Sequence, residues 1–369
     1  MKVFCPECGQ RATLSPRRWR CECGGAWEPE ERTDFDLDQI DTADRSLWRY
    51  RWLYDLEFST PTAQLGAGGT PLLPLKLAGR EVLVKLEYLA PTGSFKDRGA
   101  AVMMNILAHQ GVTHVADDSS GNAGASVAAY AARTGMRADI FVPAYASPAK
   151  QAQIAVYGAE VRPIPGPRQN AKLAVLEASR RGVVLASHAY HPGFVLGQQS
   201  LAFELWEQLG RRAPDWYVVP VGQGGHLLGV WLGFRRLRAA GLVGRVPRFA
   251  AVQAKVLAPL CAAFEAGLET VPGLEPTSAS LAEGLAIAAP VRGRRLLQAL
   301  RESGGTCLAV EEGAVGLAQR ELAHQGFYVE PTSATVAAAL PALVGSIAEE
   351  ETIVVPLTGS GLKGAPAVG

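Results

Sequence analysis

Charge of one sign is missing from this chain. Its 36 lysines and arginines stand against 35 aspartates and glutamates, a net +1 over 369 residues. Neither the basic stripe of a nucleic-acid binder nor an acidic tail is present, and no nucleic-acid partner is expected. Long apolar runs are missing too. The longest near the end, Ala334 to Ala348, is broken by Pro341 and Gly345 and is too short to span a bilayer, so no membrane partner is expected. The start, Met1-Lys2-Val3-Phe4-Cys5-Pro6, lacks the apolar core of a secretory signal, and the expected location is the cytoplasm. No Gly-Lys-Ser or Gly-Lys-Thr occurs, which removes the Walker A phosphate loop. Internal repeats and low-complexity tracts are also lacking.

What is present suits a soluble multidomain protein. Hydrophobic residues make up 48% and charged residues 19%, and the 40 glycines are scattered as loop residues. The length allows two domains with proper cores and a small appendage. Four of the six cysteines form that appendage, as Cys5-Pro6-Glu7-Cys8 and Cys21-Glu22-Cys23-Gly24. Two such knuckles across a short hairpin make a tetrahedral sulfur site of the zinc ribbon kind, and so short a segment needs a staple to fold. A structural Zn2+ on Cys5, Cys8, Cys21 and Cys23 is expected. A disulfide pair or a ribbon that has lost its metal are the alternatives. Cys261 and Cys307 lie in apolar surroundings and read as core residues. The aromatic and arginine cluster Leu47 to Tyr54 reads as a linker helix packed on the body of the protein or on a second subunit.

The stretch Pro91-Thr92-Gly93-Ser94-Phe95-Lys96-Asp97-Arg98-Gly99 puts one lysine where a β-rich segment, Glu81 to Leu89, gives way to a helical run from Phe95 to His109 with Ser94 as its N-cap. An isolated helix-start lysine is ordinarily a solvated charge. In the first turn the dipole and partial burial disfavour an ammonium, so its pKa should fall, and a neutral amine attacks carbonyls. Three glycine-rich loops sharpen the reading, each following an apolar strand. They are Asp117 to Gly124, Gly222-Gln223-Gly224-Gly225-His226, and Thr358-Gly359-Ser360-Gly361. Glycines admit close approach of backbone to ligand, and helix N-termini offer N–H groups to phosphate or carboxylate. They are not the dinucleotide fingerprint, because Leu227 stands where a third glycine belongs. Lysine and anion loops together suggest a phosphorylated aldehyde, and pyridoxal phosphate fits.

These residues resemble the threonine synthase branch of the fold type II pyridoxal phosphate enzymes over roughly residues 60 to 365. Gly68-Gly69-Thr70-Pro71-Leu72 and Glu330-Pro331-Thr332-Ser333-Ala334 resemble family segments. The resemblance implies that Lys96 is the Schiff-base lysine and that Asn122 meets the cofactor's 3′-oxygen. It gives Gly222, Gln223, Gly224, Gly225 and His226 to the cofactor phosphate and Thr358 to the pyridine nitrogen. Ser119, Ser120, Gly121 and Ala123 would take the substrate carboxylate. Two departures fall at the substrate. Ala123 replaces a threonine, and His188-Ala189-Tyr190-His191-Pro192 replaces an Asn-Ser-Val-Asn-Pro segment, leaving His188 as a phosphate-side candidate. The two histidines read equally as a polar cluster at a strand end.

The resulting expectation is an α/β protein of two open α/β domains with an N-terminal zinc ribbon. The ribbon covers 1–30, a linker 31–60, a large cofactor domain 61–98 with 195–369, and a small mobile domain 99–194, with the cofactor between the two domains. The expected reaction is a lyase reaction that converts O-phospho-L-homoserine and water to L-threonine and phosphate. Elimination or replacement on another hydroxy or phospho amino acid, and a zinc-ribbon binding protein on a degenerate enzyme scaffold, stand as alternatives. A homodimer is the default assembly.

Overall fold

Val115-Ala116 and Ile140 to Val142 are buried, as strands covered on both faces by helices must be. The computed structural model describes residues 1–364 apart from Asp55, Glu57 and Ser59. It divides into two compact units, the first made of Met1–Glu31, Asp36–Gly69 and Ala90–Ser200, the second of Arg32–Phe35, Thr70–Leu89 and the chain from Leu201 onward.

In the first unit the strands Glu160–Ile164, Arg137–Pro143, His114–Asp117 and Val184–Leu185 lie side by side in that order, all parallel. Helices Asn122–Thr134, Pro148–Val156 and Arg168–Arg180 supply the crossovers, and helix Lys96–His109 leads into His114–Asp117. One core combines Ala116, Phe141 and Leu185 of the sheet with Ala171 and Val175 of the last helix, and Trp19 packs onto it from the N-terminal segment. That segment is a three-stranded antiparallel sheet, with Lys2–Phe4 between Arg11–Thr13 and Glu28–Pro29. Leu47–Tyr54 is a largely buried 3-10 helix kinked at Tyr50, and its Tyr54 hydroxyl donates to the Leu47 carbonyl at 2.8 Å. Gly68 and Gly69 press against it. A Cβ on Gly68 would meet the Leu47 nitrogen at 2.5 Å, and Gly69, at φ +63, has the Arg45 carbonyl in that place at 2.3 Å.

In the second unit six strands run in the order Thr306–Val310, Arg248–Ala254, Trp216–Pro220, Ile353–Pro356, Arg80–Lys85 and Leu72–Leu77. The first five are parallel, and the last is an antiparallel edge carrying Pro74 and Lys76. Val82, Val84, Val218, Val252 and Val355 meet Val336 and Leu340 of helix Pro331–Leu343 in its main core. Cys261 and Cys307 are buried as expected, but they are also joined in a disulfide that spacing alone does not reveal. Under the edge hairpin, Lys85 is fully buried. Its ammonium donates to Glu204, to the Thr70 carbonyl and to Gln208 Oε1 at 2.9 Å, while the Thr70 hydroxyl donates to Glu87 at 2.6 Å. No helix of the described residues is long and apolar enough to cross a membrane.

Candidate active site

Lys96 is the first residue of helix Lys96–His109, one residue later than a Ser94 cap requires. No side chain caps this helix. The Asp97 carboxylate instead ties down the approach, accepting from the Thr92 N–H at 2.6 Å, the Thr92 hydroxyl at 2.7 Å and the Ser126 hydroxyl of the next helix. Lys96 Nζ lies 4.3 Å from the Phe95 ring centroid and 5.8 Å from that of Phe194. Gly99 admits the Phe194 ring, which a Cβ would meet at 2.4 Å, and Gly197 admits the Arg98 carbonyl at 2.1 Å. The lysine's surroundings are therefore set by contacts that tolerate no side chain.

The Ser126–Asp97 bond brings the second loop into this neighbourhood. Helix Asn122–Thr134 starts at Gly121 without a side-chain cap, so its amides face outward from the loop Ser119-Ser120-Gly121. Gly124 is obligatory here, since a Cβ would meet the Ser119 carbonyl at 2.0 Å. Ala123 is buried and brings no polar atom. His188 Nδ1 lies 3.9 Å from Asp117 Oδ1, and its ring meets Phe194 edge-on at 5.9 Å. Burial, then the Asp117 charge, push the Asp118 carboxyl above the usual range, against the pull of His188, Arg168 and Lys172. The Ser94 hydroxyl, Gln198 Oε1, Asp117 Oδ1 and His188 Nδ1 are buried and make no hydrogen bond. Buried polar atoms of that kind mark a place where a polar ligand completes the structure.

The second unit carries the other two loops. Strand Trp216–Pro220 leads through Gly222 and Gln223 to Gly224, whose φ of +79 turns the chain into helix Gly225–Ala239 with no side-chain cap. A Cβ on Gly222 would meet the Gly284 carbonyl at 2.6 Å, and one on Gly224 would meet Leu296 at 2.4 Å. Gln223 Oε1 accepts from the Val291 N–H at 3.1 Å, and the His226 ring pairs with the Tyr217 hydroxyl at 2.7 Å. Gln223 Oε1 and His226 Nε2 are thus engaged with protein, and the helix start adds backbone N–H groups suited to an anion. Thr358 Oγ1 lies 2.9 Å from Ser333 Oγ, which accepts from the Gly359 N–H at 2.8 Å. Ser333 is a residue that sequence reasoning quoted without a role. Asp97 and Asp117 are two more. Each stands beside a named motif residue, which was the available signal.

At the N-terminus the four sulfurs of Cys5, Cys8, Cys21 and Cys23 lie within 4.8 Å of one another. Sγ separations of 3.5 Å for Cys5 and Cys23 and 3.6 Å for Cys8 and Cys21 match a tetrahedral edge. A Zn–S length near 2.3 Å gives an edge of about 3.8 Å. Burial pushes the Cys5 thiol up to about 12 and raises Cys21, whereas the Gly25 N–H lowers Cys23. The donor set suits a soft divalent metal.

Three kinds of comparison agree with this geometry. Residues 63–359 match the family model described as pyridoxal-phosphate dependent enzyme. A threonine synthase of Methanocaldococcus jannaschii is 32% identical over 97% of this chain and 92% of its own, and one of Synechocystis sp. is 35% identical over 85% and 82%. Among solved structures, a T.th. threonine deaminase aligns with a TM-score of 0.69 at 29% identity, covering 80% of this chain and 94% of that one. A maize serine racemase, at 24% identity, covers 79% and 88% with a TM-score of 0.69 and shares the fold. The uncapped, glycine-shaped helix starts and the unsatisfied polar atoms around Lys96 are what such a cofactor needs. This chain belongs to the pyridoxal-phosphate dependent enzymes of fold type II, in their threonine synthase branch.

Proposed function

We propose that the chain converts O-phospho-L-homoserine and water to L-threonine and phosphate. The observation that carries this is the start of the Lys96 helix, where the next residue, the buried Asp97, accepts from Ser126 of the helix entered through Ser119–Ala123, with His188 near Asp117. Relatives named threonine synthase over most of their length support it.

Pyridoxal phosphate, when bound, withdraws electrons from the substrate carbon next to the amino group. Lys96 would hold it covalently, with Asn122, Gly222 to His226 and Thr358 around it. The Gly222 to Gly225 backbone would take its phosphate. Thr358, paired with Ser333, presents a neutral hydroxyl that cannot fix a proton on the ring nitrogen, which favours elimination and replacement over transamination. Lys96 Nζ then moves the proton at the α-carbon, and the amides of Ser119 to Ala123 orient the substrate carboxylate. Cys5, Cys8, Cys21 and Cys23 would hold a structural Zn2+.

The Gly222→Ala variant should bind the cofactor about ten- to a hundredfold more weakly, because the new Cβ displaces either the cradle or the Gly284 carbonyl. Titration of the apoprotein, followed by absorbance, measures this. Gly313→Ala, with open space around its Cβ, is the control and should leave affinity unchanged.

One feature favours a second reading. Asp117 and Asp118 stand beside the loop, and the side chains of Ala123 and Ala189 offer no donor to a phosphate, so deamination of an uncharged hydroxy amino acid is the alternative. Holoenzyme offered phosphohomoserine, L-serine and L-threonine separately decides between them. Equal release of phosphate and threonine from the first supports the proposal, and ketoacid from the other two supports the alternative. Inertness toward all three would sink both.

A further inference from the structure

Trp19 joins the ribbon segment to the turn that carries His188. Trp19, two residues before Cys21, meets the Tyr190 ring edge-on at a centroid distance of 4.8 Å with an interplanar angle of 90°. Tyr190 belongs to the tight turn that displays His188. Ser187 accepts from the N–H groups of Tyr190 at 3.3 Å and His191 at 2.9 Å, and His191 accepts from Phe194 at 3.1 Å and, through Nδ1, from Gly193 at 3.1 Å. Phe194 then lies against His188 on one side and 5.8 Å from Lys96 Nζ on the other. Ring contacts and one backbone turn therefore link the segment before Cys21 to the neighbourhood of the reactive amine, all within one unit.

We infer that Trp19 is a positioning residue for the His188–His191 turn, and that metal at Cys5, Cys8, Cys21 and Cys23 fixes Trp19 and so shapes the substrate side of the site. The physical reason lies in the knuckle. Its backbone is held by few bonds, Cys21 N–H to the Gly25 carbonyl at 2.9 Å and Gly24 N–H to the Cys21 carbonyl at 2.9 Å. Such a segment buries too little to stay ordered unaided, so the metal's ligands set where its neighbours point. On the other side the Trp19 ring seats on the Ala116, Phe141, Ala171, Val175 and Leu185 core, which orients its edge at Tyr190. The inference rests on the proposed roles of His188 and Lys96, and adds control of that site by a distant metal.

The test uses holoenzyme and the variants Trp19→Leu and Trp19→Phe. Leucine keeps apolar volume on the core without the ring edge, and phenylalanine keeps the edge. In Trp19→Leu, hydrogen exchange of peptides spanning residues 187–193 should speed up with the rest of the unit unchanged. KM should rise about three- to tenfold while kcat, zinc content and cofactor absorbance hold. Trp19→Phe should restore both. Chelating zinc from the unmodified protein should reproduce the local exchange change, zinc should reverse it, and chelation should add nothing in Trp19→Leu. Unchanged exchange and KM in Trp19→Leu overturn the inference, as does a leucine variant that loses cofactor or unfolds. Chelation that acts alike on both proteins, or loosens the whole unit, also overturns it. The exchange arm needs no substrate, so a failure of the phosphohomoserine proposal leaves it intact, and KM is then read with whichever amino acid the enzyme uses.

Discussion

Lys96→Ala lowers turnover by about a thousandfold or more, since the change removes both the attacking amine and the group that moves the α-proton. Phosphate release under saturating substrate measures it, and the visible absorbance of the bound cofactor should change in the same variant. Phe95 and Phe194 flank Lys96 Nζ, and the Thr92–Asp97 bonds fix the approach to its helix. Lys96→Arg is the sharper companion. It keeps length and charge but never loses its proton at ordinary pH, so it should be as inactive as alanine. Lys96 is half-buried, and its replacement should leave thermal unfolding close to that of the parent. A variant retaining about a tenth of the parental rate would refute the role given to this residue.

The largest effect on stability is expected at Glu204. Lys85 is sealed in the second unit with Glu204, Gln208 and the Thr70 carbonyl as its partners, so Glu204→Ala leaves a buried ammonium short of its counter-charge. Breaking one side of such a pair costs about 3–5 kcal/mol, whereas replacing both partners by apolar residues of similar volume is close to neutral. Glu204→Ala and Lys85→Met should each destabilise strongly in urea, and Lys85→Met combined with Glu204→Leu should recover most of the loss. The pair also holds Thr70, whose carbonyl takes a Lys85 hydrogen and whose hydroxyl binds Glu87, so single variants should lose activity along with stability. A Glu204→Ala change of less than about 1 kcal/mol would mean that water reaches the pair.

What the sequence made legible follows from how local each feature is. The strand, glycine loop and helix entry around Asn122 and around Gly225 are written in consecutive residues, and both helices begin where the loops end. Lys96 is likewise placed at a helix start by its neighbours alone. The cysteine cluster follows from two short spacings. The Ser94 cap failed because Asp97, on the far side of the lysine, performs the restraint instead and leaves the serine hydroxyl sealed without a hydrogen bond. Leu47–Tyr54 is helical as read, but its spacing records neither the 3-10 winding, nor the kink at Tyr50, nor the bond from Tyr54 to Leu47. Pairings across long stretches of chain were out of reach. Lys85 with Glu204, Ser333 with Thr358, Cys261 with Cys307 and Trp19 with Tyr190 each depend on the assembled fold, and no periodicity records them.

The outermost strand of the larger sheet, Leu72–Leu77, has a consequence for how copies of the chain behave when crowded. Pro74 offers no N–H to an incoming strand and Lys76 adds a charge that a growing stack of sheets would have to desolvate. Fibril-like addition at that margin is therefore disfavoured by the covalent structure of the strand itself, even where the folded concentration is high.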